Sequence, residues 1–334
     1  MKSFIPENYK PTLSLYDTQN AISFIKKDFI SKLAEFLNLK RVSAPLFVEK
    51  DTGINDDLDG VARAVDFDIP CIGKNGTVVH SLAKWKRMAL YTYDFHVGKG
   101  LYTDMNAIRR DEVLDNLHSV YVDQWDWEKV ITRENRNLDY LYNTVRQIHN
   151  CIYATLTDLK IKYPTITVEL EKDLHFVSSE ELIHLYPGLN AKEREYEITK
   201  KYGSVFIVGI GHELSDGKAH DVRASDYDDW NLNGDLLYYN AILDNAFEVS
   251  SMGIRVDASS LAEQLKIKNE EYKKEYPYHK MILNDELPLT IGGGIGQSRL
   301  AMLLMGKAHI GEVQSSIWEE ELYTEAKKAG VVIL

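Results

Sequence analysis

Four glycines stand close together near the end of this 334-residue chain, and they lead into an arginine and an apolar segment. The run is Gly292-Gly293-Gly294-Ile295-Gly296-Gln297-Ser298-Arg299, followed by Leu300–Met305. Glycine lets a ligand approach the backbone closely, and the start of a helix offers free N–H groups to an anion. Arg299 adds a fixed cation whose flat face can stack on a base. The run therefore favours a nucleotide site, with a glycine-rich turn before a core helix as the alternative.

The run matches neither of the two common glycine fingerprints. In a dinucleotide-binding G-x-G-x-x-G that begins at Gly292, the third glycine would fall on Gln297. A P-loop would end in Gly-Lys-Ser/Thr, and the run contains no lysine. Both the hydride-transfer and the P-loop interpretations are therefore excluded.

Apolar spacing predicts the remaining elements. Helices are predicted over 18–37, 82–91 (with Ser81 as its N-cap), 133–163, 179–185, 192–201 and 261–283. Strands are predicted over 61–72, 78–79, 120–127, 174–177, 205–210, 236–239 and 247–256, with an extended segment over 42–46. Because the strands are grouped rather than alternating regularly with helices, we expect an α+β fold with an antiparallel sheet flanked by helices.

Length and charge limit the classes of function. The chain is long enough for one large domain or two ordinary ones, and no linker-like segment divides it. A net charge of −12 argues against a broad nucleic-acid or anionic-membrane surface but leaves room for a small basic pocket. Cys71 and Cys151 lack zinc-ligand spacing and fit a reducing, cytoplasmic compartment. The sequence shows no signal peptide and no transmembrane segment, so we expect no membrane association.

Two pairs of polar residues suggest phosphate chemistry. Arg109 could hold a phosphate bidentately while Glu112 orients it, although a surface R-x-x-E pair is commonplace. Asp235, which we expect at the start of a strand, and Glu248 could bind Mg²⁺, which prefers carboxylates together with substrate phosphates. Two acids at this separation do not establish a metal site by themselves.

The segment 120–127 alternates in polarity as it continues to residue 128. This pattern places three polar side chains on one face of a strand and two tryptophans on the other, namely Gln124, Asp126 and Glu128 against Trp125 and Trp127. The polar face could fix an ammonium group, or it could be the solvent side of a half-buried sheet.

The predicted helix over 82–91 carries several cations. Lys84 and Arg87 would share a face, and Lys86 would point elsewhere. Solvated helical lysines are the ordinary explanation for this pattern.

Taken in order, these segments resemble the catalytic core of class II aminoacyl-tRNA synthetases. The helix ending at Leu37 with Pro45 after it is similar to the first class motif, which builds a dimer interface. Arg109–Glu112 is similar to the second motif, and Gly294–Arg299 is similar to the G-x-G-x-x-R of the third. The segment 124–128 is similar to the Q-x-D-x-E of aspartate-specific members.

The resemblance to one related family, the ammonia-dependent, AMP-forming aspartate–ammonia ligases, is more specific. It rests on four long strings, which lie at 80–87, 118–128, 250–257 and 292–300. It implies that ATP adenylates the side-chain carboxylate of L-aspartate with release of pyrophosphate, and that ammonia then displaces AMP to give L-asparagine. It also implies Mg²⁺, a homodimer and a single catalytic domain over 1–334 without an anticodon-binding domain, so that no tRNA is expected.

The resemblance further implies a role for each matching residue. Arg109 and Arg299 would stand on opposite sides of one ATP, and Arg109, Lys86, Asp56 and Arg299 would be the catalytic group. Aspartate would be surrounded by Asp56, Ser81, Lys86, Gln124, Asp126, Asp228, Ser251 and Arg255, whose acids suit its ammonium group and whose cations suit its carboxylates. ATP would contact Arg109, Glu112, Asp235, Glu248, Gly294, Gly296 and Arg299, with Asp235 and Glu248 holding the metal.

One position departs from the synthetase pattern, and it bears on the alternatives. Aspartyl-tRNA synthetases usually have an adenine-stacking phenylalanine two residues before the glutamine, where this chain has Val122. The alternatives are an aspartyl- or asparaginyl-tRNA synthetase-like enzyme, a glutamine-dependent asparagine synthetase and a non-catalytic paralogue. The second of these would need a cysteine nucleophile after Met1, and residue 2 is a lysine.

Overall fold

One large sheet organises the molecule. The computed structural model describes residues 3–58 and 60–334. Eight strands lie in the order β1-β5-β6-β11-β10-β9-β8-β7, antiparallel through the centre and parallel only at the β1–β5 and β8–β7 edges. The strands of this sheet are β1 (Leu39–Arg41), β5 (Gly100–Ile108), β6 (Tyr121–Val130), β7 (His175–Ser178), β8 (Ser204–Val208), β9 (Asp228–Asn240), β10 (Asn245–Arg255) and β11 (Thr290–Gly296).

A second, small antiparallel sheet has the strand order β2-β4-β3, and its strands come between β1 and β5 in the sequence. It is made of β2 (Phe47–Glu49), β3 (Asp66–Ile69) and β4 (Lys74–Val78). The helices are α1 (Leu15–Leu37), α2 (Ala83–Thr92), α3 (Leu138–Lys162), α4 (Ser179–Leu185), α5 (Ala191–Tyr202), α6 (Ala258–Ile267), α7 (Pro277–Leu283), α8 (Gln297–Met305) and α9 (Glu320–Ala329). The expected α+β class, with a largely antiparallel sheet flanked by helices, is confirmed.

The main core lies between one face of the large sheet and the helices α1, α3 and α8. Apolar side chains at helical spacing on α1, such as Ile25 and Phe29, pack there against Trp125 and Trp127 from β6. The other sheet face receives α2 beside β6 and α5 beside β9 and β10. The space between α2 and α5 leaves the centre of that face open as a cleft. Within residues 3–58 and 60–334, no helix combines the length and apolarity needed to cross a membrane.

Several local expectations are wrong. The glycine run lies within the strand β11, so the alternative of a glycine-rich turn is wrong, and the following helix begins at Gln297. The helix expected over 261–283 is broken into α6, a 3₁₀ segment (Glu271–Glu275) and α7, because Pro277 cannot continue a preceding helix. The strand expected over 61–72 is limited to β3 and is followed by a 3₁₀ turn.

The start of α2 also differs from the expectation. Leu82, and not Ser81, is the N-cap of α2, and Ser81 instead accepts a hydrogen bond from the Ala83 N–H at 3.3 Å. Lys84, Lys86 and Arg87 are all buried, so they are not solvated helical cations. Burial of three cations on one short helix requires partners inside the protein, and these partners lie around the cleft.

Candidate active site

A polar cleft of about 510 Å³ opens on the sheet face between α2 and α5. Its floor comes from β6, β10 and β11, and its walls include the start of α2, the segment 109–119 and the segment 221–228. The cleft brings together every predicted site residue except Asp235, namely Asp56, Ser81, Lys86, Arg109, Glu112, Gln124, Asp126, Asp228, Glu248, Ser251, Arg255, Gly294, Gly296 and Arg299.

The strand β6 supplies one side of the floor. Its alternation is as predicted, because Gln124 and Asp126 line the cleft while Trp125 and Trp127 lie in the core on the opposite face. The polar face is thus the floor of a site and not the solvent side of a sheet.

The strand β10 supplies the other side of the floor, and an irregularity sets which side chains reach it. The register with β9 shifts between Glu248 and Ser250, and an extra residue of this kind reverses the alternation of the side chains that follow. As a result Glu248, Ser251 and Arg255 all line the cleft although their numbers differ in parity. Regular alternation along the sequence could not have placed these three side chains together.

The glycines of β11 leave room for the side chains of neighbouring strands. A Cβ at Gly294 would lie 2.4 Å from Gln124 Oε1, and a Cβ at Gly292 would lie 2.3 Å from Glu128 Oε2. The backbone of the run stays outside the left-handed region, so conformational freedom is not the reason for these glycines. They are required because the polar side chains of β6 and β10 cross over the strand between them.

Lys86 and Asp126 form a buried pair at the cleft wall. Lys86 Nζ forms an ion pair with Asp126 Oδ1 and donates to the Gly293 carbonyl at 2.9 Å. Burial lowers the pKa of Lys86 even though the neighbouring Asp126 opposes this shift. The second carboxylate oxygen of Asp126 is buried without a hydrogen-bond partner among the described residues. This oxygen is an acceptor that an ammonium group entering the cleft could satisfy.

Arg255 is held between two acids. It donates to Glu128 from Nε and Nη2, the latter at 2.8 Å, and to Asp228 from Nη1. Glu128 is fully buried and also accepts from Thr290 Oγ1 at 2.7 Å. Burial raises the pKa of Asp228 despite the nearby arginine. Arg255 can therefore meet a substrate carboxylate only while it remains shared with these two acids.

Two half-buried arginines lie on the other side of the cleft. Arg109 is 3.9 Å from Glu112 and has a buried Nε without a hydrogen-bond partner among the described residues. Arg299 donates from Nη1 to the Glu248 carbonyl at 3.2 Å and lies 3.9 Å from its carboxylate. Val122 lines the cleft as well, at the position where an adenine-stacking phenylalanine was expected in a synthetase. These side chains place two cations and an apolar surface along this side of the cleft.

Asp235 lies beneath the cleft floor in the middle of β9, and not at the start of a strand as expected. It pairs with Arg223, which lines the cleft, and it is opposite Ser251 in the sheet register. Burial raises its pKa to about 7, and the charge of Glu248 adds to the shift. The pKa of Glu248 is lowered, because Arg299 and Arg223 outweigh its burial.

The donor set around Asp235 fits a magnesium ion that is shared with a nucleotide. Asp235 and Glu248 are close enough to interact electrostatically, and each has an arginine that balances its charge. Across residues 3–58 and 60–334 no group of three or more His, Cys, Asp or Glu side chains is arranged to hold a metal by itself. Mg²⁺ commonly uses one or two carboxylates and completes its shell with phosphates and water.

Three residues near the cleft were missed by the sequence interpretation as site residues. Glu128 was recognised as part of an alternating face and of the Q-x-D-x-E string but was given no role, and its burial beside Arg255 makes it one of the two acids that orient this arginine. Arg223 lies in a segment without periodic signal, so only the tertiary fold brings it to Asp235. His80 lines the cleft with a buried Nε2 that has no partner among the described residues, and its Nδ1 lies 3.0 Å from the Asp56 carbonyl.

Comparisons with known proteins identify the family. The sequence profile of the aspartate–ammonia ligase family matches residues 16–330. An aspartate–ammonia ligase of Clostridium perfringens is 56% identical, with 100% of this chain and 99% of that protein aligned. One from Lactobacillus johnsonii is 53% identical over all of both chains.

Solved structures show the fold. An asparaginyl-tRNA synthetase of Entamoeba histolytica in complex with asparaginyl-adenylate has a TM-score of 0.68 at 12% identity, covering 91% of this chain and 68% of that one. The asparaginyl-tRNA synthetase of Pyrococcus horikoshii with the same adenylate has a TM-score of 0.66 at 18% identity, covering 93% and 73%. The sheet is thus that of the class II aminoacyl-tRNA synthetases. With its family profile and full-length relatives, the chain belongs to the aspartate–ammonia ligase family.

Proposed function

We propose that this enzyme converts L-aspartate, ATP and ammonia to L-asparagine, AMP and pyrophosphate. The observation that carries the proposal is one cleft with two chemically different halves. Arg109, Arg299 and Arg223 offer cations to a triphosphate, while Lys86 and Asp126 stand where an amino acid can meet a cation and a free carboxylate oxygen. Full-length identity to relatives named aspartate–ammonia ligase supports the same reaction.

In the first step an oxygen of the aspartate side-chain carboxylate attacks the α-phosphorus of ATP. The bond from this phosphorus to the bridging oxygen of the β-phosphate breaks, and pyrophosphate leaves. Phosphoryl and adenylyl transfers depend mainly on positioning and on stabilising the charge that develops on phosphate oxygens. The positive guanidinium group of Arg109 stabilises that negative charge from one side and Arg299 from the other, where its planar face can also stack on adenine.

Magnesium would be held by Asp235 and Glu248, and when bound it neutralises phosphate charge. Two arginines of the chain balance the negative charge of these acids. Arg223 pairs with Asp235, while Arg299 lies beside Glu248, so neither carboxylate is left buried without a countercharge.

In the second step ammonia attacks the carbonyl carbon of the aspartyl adenylate. The bond from this carbon to the AMP phosphate oxygen breaks, AMP leaves, and the nitrogen loses a proton. The aspartate ammonium group would be bound by Gln124 and by the carboxylates of Asp56, Asp126 and Asp228. Lys86 would bind a carboxylate of the substrate. Ser81, Ser251 and Arg255 complete the amino-acid half, while Glu112, Gly294 and Gly296 belong to the nucleotide half.

The partners and setting follow from the same proposal. We propose that residues 1–334 form one catalytic domain, that the enzyme is a homodimer, and that ammonia and not tRNA is the second substrate, as expected of the ligase family whose profile matches 16–330. Both cysteines are free, one exposed and one buried, which fits a reducing cytoplasm.

The decisive experiment measures pyrophosphate and asparagine with aspartate, ATP, Mg²⁺ and ammonium. With all substrates we expect both products in equal amounts, and without aspartate we expect neither. Without ammonium we expect no asparagine and at most about one pyrophosphate per active site, because the adenylate forms but is not consumed. Glutamine in place of ammonium should give little asparagine. Transfer of the amino acid to tRNA without release of asparagine would instead support a synthetase, and no pyrophosphate under any condition would support a non-catalytic paralogue.

A further inference from the structure

A cluster of buried charges lies behind the amino-acid half of the cleft and does not line it. We call it the Asp226 cluster, and its members are Lys84, Asp226, Lys273 and His279, with Asp57 and Glu270 at its margin. The side chains of Lys84, Asp226, Lys273 and His279 are at most 4% exposed. None of these four is among the residues that line the cleft.

The contacts converge on one carboxylate oxygen. Asp226 Oδ2 lies 2.9 Å from Lys84 Nζ and 3.0 Å from His279 Nε2. Lys273 Nζ stands 4.0 Å from the same oxygen. Burial alone would raise the pKa of Asp226, but Lys84, His279 and Lys273 outweigh burial and keep it well below its usual value. The carboxylate is therefore ionised, and it interacts with side chains from three different elements.

Lys273 carries the connection to a fourth segment. Its Nζ lies 3.0 Å from Asp57 Oδ2 and 3.0 Å from Glu270 Oε2. Glu270 in turn accepts from Ser225 Oγ, next to Asp226 in the chain. The 3₁₀ segment that contains Lys273 is thus joined both to the segment before β9 and to the segment that contains Asp57.

Three of the connected segments carry a residue that we assign to aspartate binding. Lys84 lies two residues before Lys86 on α2, and Asp226 lies two residues before Asp228. Asp57 directly follows Asp56. Three walls of the amino-acid half, which are far apart in the sequence, are therefore joined through one buried carboxylate and the lysine beside it, Lys273.

Stability alone is a poor explanation for such a cluster. Desolvation of buried ion pairs offsets most of their attraction, and apolar replacements of similar volume are often as stable. What a satisfied network of charges provides is a fixed geometry between the elements it joins. Adenylation requires the reacting atoms to be held at the correct distance and angle, so a fixed geometry around the bound amino acid would favour the reaction.

We propose that Asp226 is a positioning residue that holds the three walls of the aspartate site at their working separation. The cluster acts through Lys86, Asp228 and Asp56 and touches no substrate. This inference rests on the function proposed above, because it assigns the amino-acid half of the cleft to aspartate. Changes in the Asp226 cluster are therefore expected to weaken the binding of aspartate and not the binding of ATP.

The test compares Asp226→Asn and Lys273→Met with a matched control, Lys307→Met. Lys307 is also buried, at 3% exposure, and its Nζ lies 3.6 Å from Glu312, outside the Asp226 cluster and outside the amino-acid half of the cleft. Pyrophosphate release is measured while aspartate and ATP are varied separately, with thermal unfolding followed in parallel. We expect Asp226→Asn and Lys273→Met to raise the KM for aspartate at least about tenfold, with the KM for ATP within about twofold. Lys307→Met should lower the unfolding temperature without this split.

A milder variant keeps the test open if Asp226→Asn does not fold. Asp57 is 54% exposed, so Asp57→Asn should fold while removing one end of the Lys273 contact. It should raise the KM for aspartate by a smaller factor and leave the KM for ATP unchanged.

Two failures can be told apart. A wild-type enzyme that releases no pyrophosphate would overturn the proposed function. An active wild-type enzyme whose Lys273→Met and Asp57→Asn variants change both KM values equally, or neither, would overturn the positioning role while leaving the proposed function intact.

Discussion

Arg299 shows how a single side chain in this site depends on several elements. It is the third residue of α8, and its guanidinium reaches back to the carbonyl of Glu248 on β10. A Cβ at Gly296 would lie 3.0 Å from Arg299 Cβ, so the last glycine of β11 leaves the path of this side chain open. The position of the cation is therefore set by the strand before the helix as much as by the helix.

A lysine at position 299 should keep the charge but lose the planar face and the fork of donors. We expect Arg299→Lys to raise the KM for ATP by about tenfold or more, while the KM for aspartate changes much less. The measurement is pyrophosphate release with each substrate varied in turn. Arg41→Lys is the matched control, because Arg41 is 63% exposed and pairs with Asp104 outside the cleft. An unchanged ATP dependence in Arg299→Lys would show that this arginine does not bind the nucleotide.

At the scale of elements, the sequence predicted which face of a strand is buried better than it predicted where helices begin and end or which elements pack together. The alternation of β6 was correct, because one face of that strand is packed on α1 and α3 and the period of a strand is two. The start of α2 depends on tertiary contacts that local spacing does not contain. The break before Pro277 is a local effect of the proline, which the apolar spacing alone does not register. The four glycines of β11 left a glycine-rich turn open as an alternative, since the side chains that need their space come from residues such as Gln124 and Glu128, far away in sequence.

The candidate site residues also divide into those that the sequence could identify and those that only the fold reveals. Those in contiguous strings, such as Lys86 and Gln124, could be named in advance and do line one cleft. Arg223, Glu128 and the Asp226 cluster could not, because each acts through a partner brought to it only by folding. A charge pattern along the chain does not distinguish a buried pair from a solvated one, and Lys84 shows this most clearly.

The short 3₁₀ segment Ile310–Glu312 gives a pH prediction. His309 is fully buried at its N-cap, and its Nδ1 accepts a hydrogen bond from the Gly311 N–H at 2.9 Å, so that nitrogen carries no proton. Burial lowers the pKa of His309 from 6.5 to about 4. The unfolded chain therefore takes up a proton near pH 6.5 that the folded chain refuses until about pH 4. Stability from this group is fully present above pH 6.5 and is lost as the pH falls toward 4, by at most about 3 kcal/mol.

We expect urea unfolding at a series of pH values to show this loss. The free energy of unfolding should decline between pH 6.5 and 4, and His309→Asn should reduce the slope in that interval. His96→Asn, at an exposed position, is the control and should leave the slope as it is. An equal slope in wild type and His309→Asn would contradict the prediction.

At the scale of the whole molecule, exposed apolar side chains support self-association. Phe36 near the end of α1 is 58% exposed, and Leu46 and Phe47 beyond the next strand are 50% and 44% exposed. Exposed apolar surface of this kind is typical of interaction sites. These residues lie in the part of the chain that resembles the first class motif.

We expect light scattering to give the mass of a dimer at micromolar concentration. Phe36→Asp should shift the population toward monomer without loss of secondary structure by circular dichroism, because a buried charge would then face the partner copy. Ile161→Asp, at an exposed position on α3, is the control and should remain dimeric. A monomeric wild-type protein would contradict the proposed homodimer.

The order of the strands has a consequence for how the enzyme is made. β11 lies between β6 and β10, and it is the last strand of the chain to be synthesised. Until it emerges from the ribosome, β1-β5-β6 and β10-β9-β8-β7 are two separate half-sheets, each with an unpaired edge that could associate with other chains. The same strand places the glycines and leads directly to Arg299. Closing the sheet and completing the nucleotide half of the cleft are therefore one event, so a nascent chain should not consume ATP before it has finished folding.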